Sequence, residues 1–273
     1  MIMFPNAKVN LGLYITQKRN DGFHNIETLF LPVPRLCDIL EILPQTNQSK
    51  AIEFTQTGIK VDADIDDNLC VKAYRLLSKH INLPKVAMHL HKQIPLGAGL
   101  GGGSANGAFT LTMLNEIATE GVDQSTLAKI ALELGSDCPF FLTNCPSFAG
   151  GRGEQLQEVK INLKGIYILL ANPGIHVNTG KAYGLSNPKP APFNLRHIDS
   201  LTIEQWKENV YNDFEKVIIP MHPEIADLKE KLYQMGAMYA SMSGSGSTVF
   251  GLFSKKPNVN LIPKQYFSHL SEL

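Results

Sequence analysis

The chain has 273 residues, 44% hydrophobic and 18% charged. That is enough apolar material for one large or two modest domains, which excludes a disulfide-stapled miniprotein and a disordered chain. Lys plus Arg and Asp plus Glu both number 25, so no bulk basic field recruits nucleic acid or an anionic membrane, and any phosphate must be met locally. Cys37, Cys70, Cys138 and Cys145 are scattered without a C-x-x-C pair, which reads as reduced thiols. Apolar runs such as Ile166 to Ala171 fall short of the roughly 20 residues of a membrane span. The opening MIMFPNAKVN has no apolar signal, so the expected address is the cytoplasm.

Residues 8 to 15, KVNLGLYI, alternate and predict a half-buried strand with Lys8 and Asn10 on its polar face. The Asn20-Asp21-Gly22 turn leads to a second strand around Thr28 to Val33, and DILEILP and AIEFTQT around the polar QTNQSK predict a hairpin. From Asn68 the period changes. Leu69, Ala73, Leu76, Leu77 and His80 share a helical face, with Asn68 as N-cap. Val86, Met88 and Leu90 alternate as a strand carrying His89 and His91, which have no third ligand and read as structural. IPLGAGLGGGSANGA follows, then FTLTMLNEIA, apolar around so much of its circumference that it predicts a buried central helix. Ser125 to Leu134 predicts another helix, stopped by Gly135, before a sharp turn to Pro139. Gly150 to Gly153 with the polar EQLQEVK is the best candidate domain boundary, dividing 1–155 from 156–273. Beyond it lie the strand GIYILLA, a mainly helical stretch from 178 to 235 broken at NPKPAPF, and SMSGSGSTVFGLF, a Ser/Gly loop feeding a final apolar strand. The fold class is α/β, or α+β.

The run from Gly97 to Ser104 lies between a strand and a helix, where free backbone N–H groups and the positive helix end face outward. Five glycines in seven positions suit a phosphate cradle, because a side chain would keep phosphate oxygens from successive amides. The absence of a following Lys-Ser or Lys-Thr excludes a Walker-type loop. Gly97, Gly99 and Gly102 satisfy G-x-G-x-x-G, but Glu116, Glu120 and Asp123 sit in or just after the helix, not at the end of a next strand. Nicotinamide binding is therefore a poor second reading.

Three separated segments, PNAKVNL, PLGAGLGGGSA with the later GSDCPFF, and MSGSGSTVFGLF, resemble in order the three signature motifs of the GHMP kinases, which phosphorylate small alcohols with ATP. The resemblance implies a two-domain fold of mixed sheets and packed helices, an ATP-binding domain over 1–155, a substrate domain over 156–273 and an active site in the cleft between them. It implies Lys8 and Asp137 as the catalytic pair. Pro95, Leu96, Gly97, Ala98, Gly99, Leu100, Gly101, Gly102, Gly103, Ser104 and Ala105 match the ATP phosphate loop. Asp67, Asn68 and Leu69 match a stretch near the adenine, and Asn10 and Ser243 to Ser247 line the same cleft. Mg2+ is implied with ATP, held mostly by phosphates and water, with no protein metal ligand assigned.

RNDGFHNIETLF, the triple glycine of GLGGGS and NDFE at 212–215 are similar to a branch whose alcohol is a cytidine diphosphate derivative of methylerythritol, phosphorylated at its 2-hydroxyl. In that branch Phe23 and Tyr183 match the aromatics that stack on cytosine, and His24 matches a residue that hydrogen-bonds it. The usual tyrosine is phenylalanine at 23, which keeps the π face and loses the phenol. The usual second serine after Ser104 is Ala105, which removes one side-chain contact. The partners implied are small molecules, without nucleic acid or membrane, for a monomer or weak homodimer. Another kinase of the family, acting on homoserine, mevalonate or a sugar, and a silent nucleotide-binding sensor are the alternatives. Taken alone, Asp137 also reads as a helix N-cap and Lys8 as a solvated surface lysine.

Overall fold

The computed structural model describes residues 1–46, 49–60 and 64–273. In chain order the elements are β1 (Ile2–Met3), β2 (Asn6–Lys18), β3 (His24–Cys37), β4 (Ile39–Pro44), β5 (Ile52–Gly58), α1 (Leu69–Leu77), β6 (Val86–Lys92), α2 (Gly102–Ile117), α3 (Gln124–Leu134), α4 (Phe140–Thr143), β7 (Ser147–Gly150) and β8 (Gln155–Glu158). Then follow β9 (Tyr167–Asn172), α5 (Thr179–Leu185), α6 (Trp206–Asn209), α7 (Glu215–Ile218), α8 (Pro223–Gln234), β10 (Tyr239–Met242), β11 (Val249–Phe253) and β12 (Phe267–Glu272). They form two compact units, each discontinuous in sequence. One is Met1–Ala7, Leu36–Leu96 and Gly101–Asn144; the other is Lys8–Arg35, Gly97–Leu100 and Cys145–Leu273. These units are interleaved along the chain and follow no single cut.

In the first unit β1, β4, β6 and β5 make a sheet in that order, β6 running antiparallel to β4 and parallel to β5. The expected hairpin of DILEILP with AIEFTQT is corrected, since β6 lies between the two strands. β6 buries Val86, Met88 and Leu90, so it takes the central place, and the chain returns to it from β5 through α1. That parallel crossover leaves no local turn signal. Asn47 and Gln48, inside the expected turn, lie outside the described residues. Helices α1, α2 and α3 pack on one another. As the sequence predicts, Asn68 Oδ1 caps α1 by accepting from the Cys70 amide at 2.9 Å, α2 is buried along most of its length, and α3 stops at Gly135.

In the second unit most of β2 and β3 join β7 and β8 in one sheet, and β10, β11, β9 and β12 form another in that order, all antiparallel. Three expectations are corrected here. β2 is buried on both faces from Asn6 to Ile15, because residues near α6 cover the second face: the Tyr14 hydroxyl donates to the Asn209 carbonyl at 2.7 Å. Gly150 to Gly153 turns the β7–β8 hairpin, with Gly150 paired to Gln155, so it closes a sheet rather than linking domains. The last strand is β12, whose half-buried FSHLSE pairs along β9. α8 buries Ile225, Leu228 and Leu232 against Ala240, Met242, Val249 and Phe253. Among the described residues no helix is long and apolar enough to cross a membrane. All four cysteines are free; Cys70 and Cys138 are buried, and Cys37 and Cys145 half-buried.

Candidate active site

Lys8 and Asn10 leave β2 on the same face, as their spacing requires. Lys8 is only 3% exposed, which removes the reading as a solvated surface lysine. Its Nζ donates to Asn10 Oδ1 at 2.6 Å and lies 4.8 Å from the centre of the Phe30 ring. Asn10 Nδ2 donates to Thr28 Oγ1 at 3.0 Å, and Thr28 Oγ1 donates to the Gly12 carbonyl at 2.6 Å. This chain of bonds restrains both the ammonium and the amide.

The Gly-rich loop tip and the Ser/Gly loop interlock beside this pair. The Ser243 hydroxyl accepts from the Asn10 amide at 3.1 Å and donates to the Gly99 carbonyl at 2.8 Å, while the Lys8 amide donates to the Leu100 carbonyl at 2.9 Å. A Cβ on Gly246 would meet backbone atoms of Ala98 and Gly99 at 2.2 Å, so the two loops touch main chain to main chain. Lys8, Asn10, the loop tip and Ser243 are thus brought together.

The sequence reading singled out NDFE at 212–215 but assigned no role to it or to Asn172, and these residues hold the Ser/Gly loop. Asn212 Nδ2 donates to the Met242 and Gly244 carbonyls, both at 2.8 Å, and Glu215 Oε1 accepts from the Met242 amide at 2.8 Å. Asn172 Nδ2 donates to Thr248 Oγ1 at 2.8 Å and Ser247 Oγ at 3.2 Å. NDFE is therefore a clamp on this loop. Asn212→Ala leaves two buried carbonyls short of a donor and is expected to cost about 2 kcal/mol, to be read by urea denaturation, with a loss of turnover beyond the unfolded fraction.

Asp137 lies half-buried in the turn between α3 and α4. Pro139 stands at the N-cap position of α4 and makes no side-chain cap hydrogen bond. Helix α4 packs on α2, which sets the turn that carries Asp137 beside that helix. Burial pushes the Cys138 thiol up to about 12, far from a nucleophilic thiolate.

A cavity of about 430 Å³ in the first unit is lined by Asp67, Asn68, Leu69, Leu96 and Gly103, together with Phe54, Thr57, Ile59, Lys60, Lys92 and Asn106. It brings the predicted adenine stretch and both flanks of the Gly-rich loop onto one space. The second group has no sequence motif; only its placement on β5, β6 and α2 assembles it. His89 and His91 bond to Thr55 and Thr57 across β5, in keeping with a structural role.

At the other end of β2, the ring against Tyr183 is that of His24, stacked at 4.9 Å and 18°. Tyr183 also meets Phe214 edge-on at 4.8 Å. Phe23 is 50% exposed and has the Arg152 guanidinium 3.9 Å from its ring centre, so its partner is a cation from the β7–β8 turn. Burial, then the nearby Lys18, holds His24 below its usual value, which keeps the imidazole neutral at pH 7.

Comparison with known proteins matches residues 68–144 to the GHMP kinases N terminal domain and residues 196–270 to the GHMP kinases C terminal domain. A 4-diphosphocytidyl-2-C-methyl-D-erythritol kinase of Parabacteroides distasonis is 47% identical over 93% of this chain and 92% of its own. One of Bacteroides thetaiotaomicron is 46% identical over 93% and 92%. The crystal structure of a 4-(cytidine 5'-diphospho)-2C-methyl-D-erythritol kinase superposes with a TM-score of 0.80 at 31% identity, over 92% of this chain and 90% of that one. Interlocked glycine loops, a buried lysine on β2 and a match to both family halves agree: the chain belongs to the GHMP kinases.

Proposed function

We propose that this chain transfers the terminal phosphoryl group of ATP to the 2-hydroxyl of 4-diphosphocytidyl-2-C-methyl-D-erythritol, a step of the non-mevalonate route to isopentenyl diphosphate. The observation that carries the choice of alcohol is the 47% identity, over nearly all of both chains, to a kinase of that name. The family supplies ATP as donor. In the reaction the substrate oxygen bonds to the γ-phosphorus, the bond to the β-phosphate oxygen breaks, ADP leaves and the hydroxyl proton needs an acceptor.

Asp137 accepts that proton, and the buried Lys8 ammonium, aligned by Asn10, neutralises charge that grows on the transferring group. Amides of Gly97 to Ser104, at the uncapped start of α2, hold the phosphates. Asn68 and Leu69 meet the adenine from the wall of the cavity. His24 and Tyr183 hold the cytosine, parting their stack to admit it, and Phe23 offers the ring face opposite Arg152. Magnesium would come in on the triphosphate, held mostly by phosphates and water, and would screen phosphate charge there. We place the enzyme in the cytoplasm as a monomer or weak homodimer, acting on small molecules without nucleic acid or membrane.

The test is an ADP-release assay with ATP and magnesium, offering the cytidyl alcohol beside mevalonate, homoserine and galactose. Turnover of the cytidyl alcohol alone is expected. Tyr183→Ala should then raise KM for that alcohol about ten-fold, as expected for a lost stacking surface, with KM for ATP unmoved. Turnover of another alcohol in place of the cytidyl one sinks the assignment.

A further inference from the structure

The phosphate loop runs from Pro95 to Ala105, and both of its ends are held by one side chain outside every motif. Asp38, fully buried between β3 and β4, accepts from the Gln93 amide at 2.7 Å and the Ile94 amide at 2.9 Å through Oδ1. These are the last residues before the loop. Through Oδ2 it accepts from Asn106 Nδ2 at 2.8 Å, the first residue after the loop, and from the Lys92 ammonium. The Asp38 amide itself donates to the Pro5 carbonyl at 2.9 Å, which anchors the hub to the link between β1 and β2. We propose that Asp38 is a positioning residue for nucleotide binding, one carboxylate that grips the phosphate loop at entry and exit and so sets the spacing of the amides between.

A buried ion pair offers little net stability over apolar packing of the same volume, because the desolvation of both charges offsets their attraction. Lys92 is 2% exposed and Asp38 0%, so the pair is poorly explained as a source of stability. It is well explained as geometry. Lys92 and Asn106 line the 430 Å³ cavity, and a Cβ on Gly102 would lie 2.8 Å from Lys92 Nζ. The ammonium therefore sits directly under the first turn of α2. A shift of the carboxylate moves the loop entry, the helix start and two cavity walls together.

The inference rests on the phosphoryl-transfer reading, and the test separates the two. Asp38→Asn keeps an acceptor for the two amides but loses the second charged grip. Burial already pulls Lys92 below its usual value, so the lysine can shed its proton in this variant rather than remain an uncompensated buried charge. KM for ATP is expected to rise about ten-fold or more, with KM for the alcohol within about two-fold of wild type. Leu228→Ala, a core change under α8, should lower stability to a similar degree and leave KM for ATP unmoved. Equilibrium binding of a non-hydrolysable ATP analogue reads the grip without turnover. Equal analogue binding by folded Asp38→Asn and wild type overturns the grip, whereas wild type silent towards every alcohol overturns the functional reading. If Asp38→Asn does not fold, Asp38→Glu keeps the charge and displaces the oxygens by one methylene; unchanged ATP affinity in that variant also overturns the proposal.

Discussion

Lys8→Met is expected to lower kcat by about a hundred- to a thousand-fold while KM for either substrate moves far less. Methionine keeps the length of the stem, so the packing of this 3% exposed side chain survives. The change removes the charge, with its place over the Phe30 ring, and the 2.6 Å donation to Asn10 Oδ1. Asn10 retains its bonds to Thr28 and to Ser243, so the stability cost is about 1 kcal/mol, a few degrees in Tm for a domain of this size. A buried ammonium held in one geometry contributes most where charge changes during reaction, because no solvent has to reorganise around it. The loss should therefore fall on the transition state and leave the ground state nearly intact. Asp137→Asn is expected to show the same split, about a hundred-fold or more in kcat. Near-normal kcat in either variant, at an unchanged melting temperature, removes that residue from the chemistry.

The sequence exposed what is local and hid what is assembled. Asn68 announces a cap and Gly135 a stop, because each acts on amides within a few residues of itself. The pairing of β4 and β5 with β6 depends on partners some forty residues apart, and the hydrophobic alternation of a strand does not name its neighbour. The strand of Lys8 alternates like a half-buried strand, yet both faces are covered, the second one by residues near 195 to 213. Asp38 stands in an ordinary CDIL stretch, 54 to 68 residues from the side chains it holds. Nothing about an isolated aspartate distinguishes a hub from a surface charge until the fold gathers its donors. His24 and Phe23 were legible as a pair, but only the fold shows that His24 lies on Tyr183 while Phe23 meets Arg152 from the β7–β8 turn.

Gly99→Ala tests whether the contact between the two glycine loops serves catalysis. Gly99 has φ +77°, and a Cβ there would lie 1.9 Å from the Ser243 carbonyl oxygen and 2.9 Å from its carbon. Both obstacles are backbone, so one loop must move by more than an ångström. Ser243 cannot move alone: its amide donates to the Thr248 carbonyl at 2.9 Å, and its hydroxyl joins the Asn10 amide to the Gly99 carbonyl. A displaced Ser243 therefore disturbs Asn10, the residue that aligns Lys8. The backbone strain alone costs about 1 kcal/mol, and a misplacement of this size around the reacting groups is expected to lower kcat/KM for ATP by about a hundred-fold. Gly236→Ala is the matched control, because Gly236 has φ +95° with open space where its Cβ would stand. It carries the same backbone penalty without the close approach. A similar drop in Tm for both variants, with kinetics damaged only in Gly99→Ala, assigns the loss to the loop contact. Equal kinetic damage in both would mean that the enzyme responds to lost stability, and normal ATP kinetics in Gly99→Ala would show that the two loops need not touch for the phosphoryl group to be transferred.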